Sequence, residues 1–268
     1  MEKKCNFSTI RTVDTFNNWS QIPYPGQVRV YHCIDPTAGS WPLIYFKNKG
    51  TEGFTDKTDN PVAFKIMNPS NINYMEELNE VECVQNNITE EQKKMAKYWG
   101  TGVPLQQITP ITLQLISTYK ISPAKSARIM SSVMNAINDA FILTWHFKTL
   151  WDYPRPCQLN PNIETVLKTP QFPTYPSGHS VVSATAAVVM SYYFPQEKRK
   201  LYALAESASI SRLYGGIHFR SDLSQGLRLG YQIGEIIVEQ LKKDKDSDGI
   251  MVDVPRCDFL DAPINPKY

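Results

Sequence analysis

Three short segments of this chain hold side chains that a helical core would not choose. They run from Lys148 to Pro156 (KTLWDYPRP), from Pro176 to His179 (PSGH) and from Ser211 to Asp222 (SRLYGGIHFRSD). In the third, His218 and Asp222 are four residues apart. On one helical turn the carboxylate can accept the imidazole proton, which fixes the tautomer and leaves the other ring nitrogen free to attack or to ligate. Gly215 and Gly216 bend the chain just before, so that Arg212 can reach the same centre. In the second segment, Ser177 and Gly178 stand at the first turn of a helix, where unpartnered N–H groups favour an anion. His179 follows as a proton donor or acceptor. In the first, Arg155 offers a planar fork for two oxygens and Lys148 a mobile point charge. Taken singly, each segment reads as a surface ion pair or a turn with its cap. Together they suit a tetrahedral oxyanion that becomes five-coordinate when His218 joins it, and both phosphate in transfer and vanadate at rest answer that description.

The elements that must position these residues are helices. An irregular segment rich in Pro, Gly, Asn and Thr covers residues 1–72 and is expected to wrap the body; 73–243 forms the helical catalytic region and 244–268 a tail, one domain overall. Thr89 to Gln92 is a capping box that opens a helix to about Tyr98. A helix follows from Leu105 to Tyr119, with a disturbance expected at Pro110. Ser122-Pro123 starts a long one from Ala124 to about Trp151, ended by Pro154. Further helices are predicted from His179 to Tyr193, from Pro195 to about Leu213 and from Asp222 to Lys243. Strand signals are nearly absent, so the fold class is all-α, a helical bundle. Asp244, Asp246, Asp248 and Gly249 begin like a calcium loop, but Pro255 occupies the position of its bidentate Glu, and a solvated acidic turn is expected.

Composition narrows the partners. The chain has 268 residues, 42% of them hydrophobic and 20% charged, with a net charge of +2. That balance predicts neither a nucleic-acid surface nor a membrane patch. The apolar run from Val181 to Phe194 is too short to span a bilayer. No apolar run follows the basic N-terminal residues, so no signal peptide is expected. The five scattered cysteines (Cys5, Cys33, Cys83, Cys157, Cys257) read as reduced thiols, and the location as cytoplasmic.

Lys148-x6-Arg155-Pro156, Pro176-Ser-Gly-His179 and Ser211-Arg212-x5-His218-x3-Asp222 together resemble the signature of the superfamily that joins type 2 phosphatidic acid phosphatases, bacterial acid phosphatases and vanadium-dependent haloperoxidases. The resemblance covers roughly Asn135 to Gly230 and implies a helical bundle of the haloperoxidase and acid-phosphatase type with the site inside it. By that resemblance His218 is the phosphatase nucleophile or the vanadate ligand, Asp222 orients it and His179 is the general acid/base. Lys148, Arg155, Ser177, Gly178 and Arg212 bind the oxyanion.

The flanks are similar to the haloperoxidase branch. Asp139-Ala140 and Trp145 stand before Lys148 at the offsets of the haloperoxidase helix, with Asp139 expected one layer behind the oxyanion ligands. Phe172 matches the aromatic on the halide side of the site, and Trp145 with Phe172 would form a dry wall there. His146 is expected to face elsewhere. Pro154 departs from the aromatic that haloperoxidases carry at its position. The reading is a vanadium-dependent haloperoxidase with vanadate as cofactor and hydrogen peroxide and halide as substrates, His179 managing the proton and Lys148 polarising the peroxide. A soluble phosphomonoesterase, working through a phosphohistidine without a cofactor, is the alternative; a catalytically silent oxyanion-binding protein is the third. Homo-oligomer formation stays open.

Overall fold

The apolar run that opens at His179 becomes the axis of the molecule. In the computed structural model, which describes residues 17–266 and Tyr268, helix α6 (Gly178–Tyr193) buries every residue but His179 and Tyr192. A helix apolar all round belongs inside a bundle, and α6 lies among α4 (Pro123–Trp151), α7 (Lys198–Tyr214) and α8 (Arg220–Leu241). Its small residues let α8 approach closely. Gly226, Gly230 and Gly234 recur every fourth residue on the α8 face that meets α6, and a Cβ at Gly230 would stand 2.2 Å from the Val181 carbonyl oxygen. No side chain fits there. This backbone contact brings the first turn of α8, with Asp222, against the start of α6: the Ser177 N–H donates to the Asp222 carbonyl at 3.0 Å.

Around this core stand α1 (Tyr74–Asn86), α2 (Glu90–Gly100), α3 (Leu105–Thr118) and a single turn α5 (Pro156–Leu159). The capping box of α2 forms as the sequence predicts. Pro110 does not interrupt α3; one and a half turns in, its missing N–H frees only the Gln106 carbonyl. Helix α4 ends on Asp152 in the left-handed region, φ 48°, just before Pro154. Helix α8 starts two residues earlier than its predicted Asp222, because the Asp222 side chain accepts the Phe219 N–H at 2.9 Å and caps the helix from inside.

Strands are few: β1 (Phe46–Asn48), β2 (Phe54–Asp56) and β3 (Pro61–Val62) form one small antiparallel sheet in that order. Their segment crosses α4 and α8, held by Gln225 and Gln232 of α8, which accept the Met67 and Lys65 N–H groups at 2.9 and 2.7 Å. Asp139 belongs to this seam. Its carboxylate accepts from the Ile44 and Tyr45 N–H groups and from Asn138, so it clamps the N-terminal segment to α4.

The tail is fastened by buried Glu197, which accepts from Tyr119 and from the Ala262 N–H. In the acidic turn, Asp244 pairs with Arg128 and Asp246 accepts the Asp248 and Ile250 N–H groups of its own turn. Cys33, Cys157 and Cys257 are free thiols, whereas Cys83 is disulfide-bonded, which corrects the reading of it as a reduced thiol. Among the described residues no helix is long and apolar enough to cross a membrane; the signal-peptide expectation falls on residues outside those described.

Candidate active site

The three segments converge. Arg155 follows α4 at the N-cap of α5, Ser177 and Gly178 open α6, and Arg212 and His218 flank the bend between α7 and α8, where Gly216 takes φ 73°. A cavity of about 300 Å³ is lined by Gly178, His179, Arg212, His218, Trp145 and Phe172, among others. Lys148, Arg155, Ser177 and Asp222 stand behind this lining, each fully buried.

The His218 ring is held at both nitrogens. Nδ1 lies 2.8 Å from Asp222 Oδ2; since a carboxylate accepts, Nδ1 carries the proton. Nε2 then presents its lone pair, to which Arg155 Nη1 donates at 2.9 Å. Asp222 Oδ2 also accepts from Thr174 Oγ1 at 2.5 Å. Burial pushes Asp222 up to about 6, and burial with the neighbouring Arg155 holds His218 well below the ordinary histidine range. At neutral pH the pair is therefore a carboxylate beside a neutral imidazole.

The cations are pinned by carbonyls. Lys148 Nζ donates to Pro173 and Thr174 at 2.5 and 2.8 Å. Arg155 donates to the Phe172 and Ile217 carbonyls, and its Nη2 is buried with no partner. Arg212 donates to the Ala96 carbonyl at 3.1 Å; burial and Arg155 push it down to about 9, so it stays a cation at neutral pH. Burial and Arg155 also drive Lys148 well below the usual lysine range. Lys148 Nζ and the Arg155 guanidinium lie 5.2 and 5.0 Å from the centre of the Phe172 ring, within cation–π reach.

His179 is half-buried, and its Nε2 stands 3.0 Å from the Trp99 carbonyl. A carbonyl only accepts, so Nε2 carries the proton and Nδ1 is the basic nitrogen. Burial and the Arg212 charge hold His179 well below its ordinary value. Trp145 and Phe172 pack at 4.8 Å between ring centres, tilted by 51°. His146 packs edge-on against Phe54 at 4.9 Å, on another face of α4.

Two contributions escape the sequence reading. Thr174 sits inside FPTYPSGH, yet nothing in its type or spacing marks it as the donor to Asp222. The end of α2 is the other: carbonyls of its last turns, exposed by the helix end and partly negative, receive Arg212 at Ala96 and His179 at Trp99. Backbone acceptors leave no trace in residue type.

This electrostatics has a measurable consequence. Lys148 and His179 are both depressed by burial and by neighbouring cations. An entering oxyanion favours their charged forms and raises both pKa values. Phosphate binding near neutral pH is therefore expected to take up protons, up to about one per site. Calorimetric titration in buffers of different ionisation enthalpy gives the sign; release, or no exchange at any pH between 6 and 8, would contradict it.

A helical bundle thus gathers a histidine–carboxylate pair, a second histidine and buried cations at one cavity. Residues 129–246 match the model of the PAP2 superfamily, and the chain carries a domain of that superfamily. No curated protein matches the chain. Among solved structures it is similar to the first bacterial vanadium-dependent iodoperoxidase, with 26% identity and a TM-score of 0.64, covering 84% of this chain and 62% of that one. It is also similar to a bacterial vanadium-dependent chloroperoxidase in holo form, with 17% identity and a TM-score of 0.62 over 80% and 57% of the two chains. The apo form of that class gives 16% identity and a TM-score of 0.65 over 82% and 58%. The chain thus spans less than two thirds of the length of these neighbours.

Proposed function

We propose that the protein is a vanadium-dependent haloperoxidase. The carrying observation is the tilted Trp145–Phe172 pair, which forms an apolar wall beside the cations, with Lys148 and Arg155 against the Phe172 ring. Identity of 26% over 84% of the chain to a bacterial iodoperoxidase supports the same reading.

The residues fit vanadate. His218 Nε2 offers a lone pair, Arg155 Nη2 is a buried donor without a partner, and a Cβ on Gly178 would meet only Thr144 and Trp145 at 3.9 and 4.0 Å, so the backbone there can be approached. His218 would ligate it; Arg155, Arg212, Lys148, Ser177 and the Gly178 N–H would neutralise its oxygens. Bound vanadate supplies Lewis-acidic activation of hydrogen peroxide toward halide. Overall, halide, hydrogen peroxide and one proton give hypohalous acid and water. His179 Nδ1 can hold that proton, its ring fixed by the Trp99 carbonyl. Asp222 and Thr174 keep the His218 lone pair aimed outward, and the aromatic wall excludes water from the halide's approach.

Phe172→Ala is expected to lower halogenation turnover by about tenfold or more while vanadium stoichiometry after dialysis stays at one per chain. Unchanged turnover in the vanadate-loaded variant would remove the wall from the mechanism.

The alternative has its own support. His218, with Nδ1 on Asp222 and its Nε2 lone pair accepting from Arg155 Nη1, could equally attack phosphorus once that guanidinium turns to the phosphate oxygens, with His179 protonating the leaving group and then activating water.

A further inference from the structure

The Trp145–Phe172 pair has a second side. Behind it lies a larger cavity of about 560 Å³, whose lining shares Val103, Phe141, Trp145 and Phe172 with the catalytic cavity. The partition is built firmly. Trp145 Nε1 donates to the Ile34 carbonyl at 3.0 Å, and the Ile34 N–H donates to the carbonyl of Gln171, the residue before Phe172. The turn Ala38–Ser40 rests on α4 behind Trp145, so tightly that a Cβ on Gly39 would stand 2.6 Å from the His146 nitrogen.

The lining specifies a ligand class. Four rings, Trp41, Phe141, Trp145 and Phe172, face the cavity, which favours a flat aromatic molecule. Ile34, Trp41 and Val103 are each exposed by about half, at 48%, 46% and 54%. Large apolar side chains left open together at one concave site mark a binding surface. The polar lining is Asp35 and Asn138. Asn138 is engaged with Asp139, and the Asp35 carboxylate disfavours an anion. The volume falls within the range of small-molecule sites.

We propose that this second cavity binds a neutral aromatic molecule, such as a phenol or an indole, as the acceptor of the oxidised halogen. The binding stands on the cavity alone; the acceptor role rests on the haloperoxidase reading. In that role the hypohalous acid formed beside His218 passes around the partition, along Val103 and Phe141, which line both cavities. The ring gains a carbon–halogen bond and loses a proton from the same carbon, and that proton leaves with the hydroxide of the hypohalous acid as water.

The test separates the two claims. N-phenyl-1-naphthylamine, a neutral aromatic whose fluorescence rises in apolar surroundings, is titrated into the full chain. One saturable site is expected. Met134→Trp, which fills the cavity from α4, abolishes it, and Trp41→Ala at the exposed rim weakens it about fivefold or more. His218→Ala and saturating phosphate leave it within twofold. No saturable binding, binding that survives Met134→Trp and Trp41→Ala in variants with wild-type circular dichroism, or displacement by phosphate would each overturn the site. The acceptor role is read from the isomer ratio of a halogenated phenol. It should differ from that of free hypohalous acid and revert to it in Trp41→Ala, with peroxide consumption unchanged; a solution ratio in the wild type would overturn the role and leave the binding result standing.

Discussion

His218→Ala is expected to abolish peroxide-dependent halogenation, a loss of about a thousandfold or more, and to release vanadate on dialysis. The His218 ring lines the cavity and is held at both nitrogens, Nδ1 by Asp222 at 2.8 Å and the Nε2 lone pair by Arg155 Nη1 at 2.9 Å. Arg155, Arg212 and Lys148 would still attract an anion, so some phosphate affinity should persist in the variant. That pattern separates loss of the ligand from loss of the fold. Removing the buried ring also leaves a cavity, with a stability cost of a few kcal/mol, and unfolding midpoints should accompany the activity measurement. Turnover within tenfold of the wild type would show that the reaction centre lies elsewhere.

Asp222→Asn is expected to cost about a hundredfold in activity or in vanadate affinity, and more if the imidazole changes tautomer. Asp222 Oδ2 gathers three donors: His218 Nδ1, Thr174 Oγ1 and the Phe219 N–H. An amide oxygen can accept from all three, so the first turn of α8 should persist. The lost element is the buried carboxylate charge that Lys148 and Arg155 both feel. Without it their charged forms, and that of His218, become harder to sustain. The proton uptake on phosphate binding should therefore grow in the variant while the affinity falls. Wild-type activity in Asp222→Asn would contradict the orienting role. Thr174→Val, which removes a single donor to the same oxygen, should give a smaller loss in the same direction.

The helices that hold this site were legible because their signals are local. Thr89 and Gln92 announce a cap, Ser122-Pro123 announces another, and the run after His179 is apolar on every face. Three segments of ordinary appearance were also expected at one place, because an oxyanion site would need those residue types together, and they do converge on one cavity. What stayed hidden depends on the third dimension. The strands at Phe46, Phe54 and Pro61 are two or three residues long, too short for an alternation to register. Asp139 occupies a family position, yet its partners are the Ile44 and Tyr45 N–H groups, and a carboxylate's choice of partner is not written in its own neighbourhood. The carbonyls of Ala96 and Trp99 carry no sequence mark at all, although they orient Arg212 and His179. Gly226, Gly230 and Gly234 drew no notice in the sequence; only the contact with α6 reveals that they seat Asp222 beside Ser177.

Whether the His218 cavity, backed by an aromatic wall, oxidises halide is tested most directly by two assays on one preparation, titrated with orthovanadate from none to excess. One follows peroxide-dependent halogenation of a dye, the other hydrolysis of nitrophenyl phosphate. Halogenation should rise from zero and saturate with vanadate, while any hydrolysis falls as vanadate takes the site. Halogenation absent at every vanadate level, beside steady hydrolysis in its absence, would contradict the haloperoxidase reading and make the protein a phosphatase.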